Sequence, residues 1–243
     1  PVPASGVVYG GTSTLGNTTT KNILTLDGVS VSRAYGGYTQ SNTGDSTNNE
    51  IIFKNNSVLN GPAYGGWSAQ GNATNNTITL SGKNSWNGWD YFYGGFSNNT
   101  SADVRTGNTL KVTTKENYAH HIFNFEKLQF ELGTGISSGD WMLQVNTVGT
   151  GANTFDWNNV IVNGEADWAA NADGSKRVKL YQGDTLTFNN YDPLGSSHTS
   201  GNFEYGKTTN TTTPGASTVT ATEIYYDVNQ FKNADVTYNT TTK

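Results

Sequence analysis

The chain has 243 residues, with 14 Lys and Arg against 19 Asp and Glu for a formal net charge of −5, and only 14% of it is charged against 33% hydrophobic. Beyond Lys176-Arg177-Val178-Lys179 there is no basic cluster, so nucleic acid is not an expected partner, because neutralising phosphates needs a basic face. Cysteine is absent, which excludes a disulfide framework and thiolate metal sites, while 13 Tyr, 10 Phe and 6 Trp supply more apolar surface than a wholly disordered chain carries.

Residues 1–11 open with Pro1-Val2-Pro3 and reach a short apolar phrase, Val7-Val8-Tyr9, followed by Gly10-Gly11. A Thr, Gly and Asn stretch leads to Asn22-Ile23-Leu24-Thr25-Leu26, which alternates as a strand does, and Asp27-Gly28 marks a turn. Val29-Ser30-Val31-Ser32 alternates again and leads to Tyr35-Gly36-Gly37. The same order then returns: Glu50-Ile51-Ile52-Phe53 before Tyr64-Gly65-Gly66, Asn76-Thr77-Ile78-Thr79-Leu80 before Tyr93-Gly94-Gly95, and Asn108-Thr109-Leu110-Lys111-Val112 after it. The triplets stand 26, 29 and 29 residues apart. Two phrases recurring in step mean that one supersecondary unit is stacked on copies of itself.

Each unit reads as a Thr/Leu strand, an Asn or Gly corner, a second strand ending at the aromatic, and a polar return loop. A single unit holds too little apolar surface to fold alone, but in-register stacking pairs its backbone with the next coil and lets identical Asn and Tyr residues meet. The expected fold is all-β, a parallel β-helix or β-solenoid. The glycine pair allows either a corner with positive φ or close approach of two segments. No Gly-x-Gly-x-x-Gly stands between a strand and a helix, so phosphate binding is not expected.

After residue 113 the repeated phrase disappears while strand signals persist, among them 117–132, 141–145, 160–162, 178–181, 185–188, 223–226 and 234–238. We therefore divide the chain into a repeat-bearing solenoid, 1–113, and a degenerate continuation or β-rich accessory domain, 114–243. The Thr-rich stretch 207–213 is the expected flexible excursion. No run of about 18 apolar residues occurs, so this segment is not expected to enter a membrane, and any export signal or anchor would lie outside it or have been removed.

The Tyr-Gly-Gly alternation, Gly-Asn-Ala-Thr-Asn-Asn-Thr-Ile-Thr-Leu-Ser-Gly at 71–82 and Asn-Phe-Glu-Lys-Leu-Gln-Phe-Glu-Leu at 124–132 resemble the passenger region of Gram-negative bacterial autotransporter adhesins. That resemblance is clearest over 9–132. It implies a long β-helix on the outer face of the cell, hence an extracellular, cell-surface location and a role in adhesion and virulence.

A polysaccharide-processing β-helix is the enzymatic alternative. It would need two carboxylates across a cleft, and Asp90, Asp103, Glu116, Glu126, Glu131, Asp140, Asp156 and Asp167 are scattered. Asp90, within the aromatic segment Trp86–Tyr93, draws notice because a Trp can stack on a sugar, but a loop corner, with the aromatics filling a wide coil, is the stronger explanation. His120 and His121, adjacent on a strand, should face opposite sides and so should not share an ion. His198 lacks the partners of a catalytic serine system, and Asp173 and Asp184 lack the spacing of a helix-loop-helix calcium loop. The Asn-x-Thr/Ser sites, among them Asn17, Asn72 and Asn99, mostly follow from composition. We expect no cofactor, no metal and no catalysis. Trp67, Trp86, Trp89 and Tyr91 are the candidate contacts for a glycan or a surface or matrix protein, self-association being a further expectation. Trp67 follows its triplet where Tyr38 and Phe96 match it, a periodic column for which core packing is the first explanation. A purely structural spacer is the third functional reading.

Overall fold

The computed structural model describes residues 6–83, 88–149, 153–164, 166, 177–190, 202–205 and 218–227. They form a parallel β-solenoid of about six turns. One long face stacks Val7–Ser13, Arg33–Thr39, Pro62–Ser68, Tyr91–Ser97, Asn117–Phe123, Trp141–Val148 and Arg177–Asn189 in that order, all parallel. The other stacks Ile23–Asp27, Glu50–Lys54, Thr77–Ser81, Thr109–Val112, Lys127–Leu132 and Val160–Gly164. Short pairs, Thr19–Thr20 with Ser46–Thr47 and Ser30–Val31 with Val58–Leu59, connect the two faces in the early coils.

Alternation along each strand sends one set of side chains inward. On the second face this makes two continuous apolar columns, Leu24-Ile51-Ile78-Leu110-Leu128-Val160 and Leu26-Phe53-Leu80-Val112-Phe130-Val162. The first face contributes Ala34, Ala63, Phe92, Ile122 and Val148 in register, and Phe92 meets Phe53 edge-on at 5.3 Å across the core. Corners come from residues in the left-handed region: Lys21, Asn48, Asn75 and Gly107 before the second face, and Gly28, Asn55, Asn56 and Gly82 after it.

The glycine pairs do not make corners. The strands run through them, and none of the eight has a positive φ. Close approach is their function. A Cβ on Gly10, Gly36, Gly65 or Gly94 would lie 2.4–2.6 Å from a carbonyl oxygen of the next coil, and one on Gly37 or Gly66 would lie 2.4 Å from the amide of Asn49 or Asn76. The space that the missing side chains leave is filled by an asparagine ladder. Asn22 Nδ2 donates to Asn49 Oδ1 (2.7 Å), Asn49 Nδ2 to Asn76 Oδ1 (3.1 Å) and Asn76 Nδ2 to Asn108 Oδ1 (3.3 Å). The backbone N–H of each donor residue bonds to the same oxygen. The repeated phrases are thus one device, in which an Asn from the second face fills the hollow of a glycine pair on the first.

Beyond residue 113 the parallel ladders continue without glycine pairs through Arg177–Asn189. That strand is a single element, where separate strands at 178–181 and 185–188 were expected. Gly183-Asp184 is absorbed as an irregularity, with Gly183 at φ 141° and a register shift between Gln182 and Leu186. Its far edge pairs antiparallel with Thr218–Asp227, which pairs antiparallel with Asn202–Tyr205. The predicted strand at 234–238 and the excursion at 207–213 lie outside the described residues.

Candidate functional site

Apart from the inward Phe92, the aromatic residues of the first face in the early coils point outward, in columns set by the parallel register. Tyr9, Tyr35, Tyr64, Tyr93 and Phe123 stack with ring centroids 5.0, 5.1, 5.0 and 4.5 Å apart and planes within 21° of parallel. Phe123 closes the column by lying over Gly149, where any Cβ would strike its ring. The column Tyr38, Trp67, Phe96 is also on this outer surface and not in the core, since the residues beside it, Gly37 and Gly66, take the inward positions. Tyr38 stacks on Trp67 at 4.5 Å, and Tyr38 and Phe96 meet the tyrosine column edge-on at 4.9–5.8 Å.

Stacking along the axis covers the ring faces and leaves edges and hydroxyls outward. This favours a stiff ladder over a row of sugar platforms, because a sugar stacks on a face. Partial burial shows in the phenols. Tyr64 is pushed up to about 12, by burial first and then by the neighbouring Tyr35 and Tyr93, and burial also raises Tyr35 and Tyr93. Among the candidate contacts, Trp67 therefore has a ring face occupied by Tyr38, and Tyr91 has one occupied by His121 at 4.5 Å. Trp89 differs, standing 67% exposed in the turn before Tyr91–Ser97. Trp86 lies outside the described residues, as do Asp167, Asp173 and His198.

His120 and His121 do not face opposite sides. Both fall between inward Ala119 and Ile122, so alternation breaks and both rings contact Tyr91, with their centroids 4.3 Å apart. Burial, then the charge of His120, lowers the His121 pKa. Among the described residues no three His, Asp or Glu converge as metal ligands. Most of the acidic candidates are engaged locally. Asp103 accepts from the Arg105 and Thr106 N–H groups, Glu126 from Gly107 N–H, Asp140 pairs with Lys115, Glu131 with Lys111, and Asp156 caps the short 3-10 turn at Trp157–Asn159. Asp184 accepts from the Val148 N–H.

Asp90 directly follows the turn at 88–89 and is buried there. It points into the coil and forms an ion pair with Lys83, the two side chains being 1% and 0% exposed. Its Oδ1 accepts the His120 N–H at 3.0 Å, its carbonyl accepts the His121 N–H, and the Lys83 ammonium lies 5.7 Å from the centre of the Phe92 ring. Burial raises the Asp90 carboxyl against the opposing pull of Lys83, and burial lowers Lys83 against the opposing pull of Asp90. Sequence reasoning missed Lys83, because a lone lysine after Ser81-Gly82 carries no sign that it turns inward. It also missed Asn49 as a ladder member, since the phrase there begins with Glu50.

The return loops stack as well. Asn72 N–H donates to Asp45 Oδ1 (2.7 Å), Asp103 N–H to Asn72 Oδ1 (2.9 Å), and Asn99 Nδ2 to the Gln70 carbonyl (3.0 Å). Beneath them Thr19, Thr39 and Ser46 form a buried hydroxyl cluster. No protein-family model matches the chain, and neither the curated proteins nor the solved structures searched gave a match.

Proposed function

We propose that this chain is a rigid binding or stalk segment of a bacterial surface adhesin, as its likeness to autotransporter passengers implies, and that it engages glycans or matrix proteins without catalysis. One observation carries the binding role: the return loops are held in register by coil-to-coil hydrogen bonds, which gives a polar surface of repeated, pre-ordered contacts. Little ordering entropy is then lost on binding, and weak contacts repeated along a stiff body add through multivalency. Trp89 is the aromatic anchor of this scheme, because it is the exposed member of the described candidates. No helix among the described residues is long and apolar enough to cross a membrane.

The test is binding of the folded chain to glycan arrays and immobilised matrix proteins, repeated with Trp89→Ala and Trp67→Ala. Trp89→Ala should lower binding about tenfold or more with an unchanged unfolding midpoint, whereas Trp67→Ala should lower the midpoint. A folded wild-type chain that binds none of these surfaces would leave the spacer role in place of adhesion, and release of shortened glycans would replace both with an enzyme.

A further inference from the structure

Lys83 and Asp90 are, among the described residues, the only charged side chains that the fold removes completely from water. We propose that they join covalently, Lys83 Nζ to Asp90 Cγ, in an isopeptide bond that staples the segment between them, and with it Trp89, to the body of the solenoid. This stands apart from the binding role and does not depend on it.

Position comes first. Lys83 N–H donates to Asn117 Oδ1 (2.9 Å) and its carbonyl accepts Tyr118 N–H (3.1 Å), while the Asp90 carbonyl accepts His121 N–H (3.1 Å). Both residues are therefore fixed to one strand, Asn117–Phe123, with their side chains already in contact. Two groups held this way react as if at very high local concentration.

The surroundings suit the chemistry. The amine attacks as the free base and the carboxyl leaves most easily as the acid. Burial moves both groups in that direction, lowering Lys83 and raising Asp90. Oδ1, on which negative charge grows during attack, is held by the His120 N–H at 3.0 Å. In the balanced step the Nζ lone pair forms a bond to Cγ, the Cγ–Oδ2 bond breaks, and Oδ2 leaves with two protons as water. An ammonium and a carboxylate become one neutral amide. That change removes the cost of keeping two ions in a water-free core, a cost that their attraction repays only in part.

The test is the intact mass of the denatured full-length chain. We expect a population lighter than the sequence by one water. Chymotryptic cleavage after Trp86 and Trp89 should leave the Lys83 and Asp90 peptides joined in that population. Lys83→Met and Asp90→Ala chains should show the full mass, with no joined peptides. A wild-type chain of full mass, with the Lys83 amine open to acetylation once denatured, overturns the proposal. So does a water deficit that persists in Lys83→Met, which would place the loss elsewhere, as in a succinimide at Asp27-Gly28.

Discussion

The coils before residue 113 and those after it are the same structure built under different constraints. In the early coils the glycine pair, the Asn and the outward Tyr are each required by identity: one carbonyl oxygen leaves no room for a methyl group, and one amide bonds the next. In the later coils Phe125, Phe130, Phe155, Trp157, Tyr181 and Phe188 fill the interior, and among the described residues there the run of stacked asparagines does not continue. A core filled by volume accepts many combinations of apolar residues, whereas a hydrogen-bonded ladder accepts few. The period is therefore visible in the sequence where polar contacts and close approach set it.

The sharpest way to break this comparison is to add a side chain to a glycine in each region. In Gly65→Val the Cβ would lie 2.6 Å from the Gly94 carbonyl oxygen and 3.0 Å from the Asn76 Cβ, and the nearer of these is backbone, which cannot swing away as a flexible side chain would. We expect a loss of about 3 kcal/mol or more, measured from the urea midpoint, with insolubility as the extreme result. Gly133→Ala, where nothing lies within 4 Å of the added carbon, should leave stability within about 0.5 kcal/mol.

A second contrast removes a ladder rung. Asn76→Leu keeps the branched shape, with somewhat more bulk, but strips Asn49 N–H and Nδ2 of their shared acceptor and the Ser46 carbonyl of a donor, all in a buried setting. The expected cost is about 3 kcal/mol. Asn163→Leu in the later coils, whose amide reaches Glu131 at the surface, should cost about 0.5 kcal/mol or less. If the two losses are equal, the asparagine ladder is not what ties the early coils together.

These contrasts also mark what was legible in the sequence. The stacking of units and the strand order around Tyr9, Tyr35, Tyr64 and Tyr93 could be read, because each requirement repeats at a fixed interval and so leaves a pattern. The extended path through the glycine pairs was not legible, since a glycine permits both a turn and a close approach and only the neighbour's position decides. The outward setting of Tyr38, Trp67 and Phe96 was hidden for a similar reason: an aromatic column has the same period on either side of a sheet. The Lys83–Asp90 pair left no repeat at all, and its two members come together only when the fold turns both inward.

A milder change tests the claim that volume suffices in the later coils. Phe130→Leu, buried beside Val112 and Val162 in its column, should cost about 1 kcal/mol and leave the fold intact by circular dichroism, since an apolar residue of slightly smaller size still fills the space. A loss as large as that of Asn76→Leu would mean that the later core also depends on exact shape.

The smallest effect concerns the phenols and should appear only in alkali. Tyr64, in the outward column, has its pKa pushed up to about 12 by burial and then by its stacked tyrosine neighbours, against an ordinary value of 10.0. Because the folded chain holds this proton more tightly than the unfolded chain, the associated stability is intact below pH 10 and is lost as pH rises through 12. Tyr64→Phe should flatten part of that decline in urea midpoint while changing little at neutral pH. Tyr181 is the counterpart in the later coils. It is enclosed, its hydroxyl donates to the Asp184 carbonyl at 2.6 Å, and burial raises it further than Tyr64. Tyrosinate absorbance during an alkaline titration should therefore show Tyr64 ionising in the folded chain and Tyr181 ionising only as the chain unfolds. Loss of the Tyr181 proton while the fold persists would show that the later core admits solvent as readily as the outer ladder does.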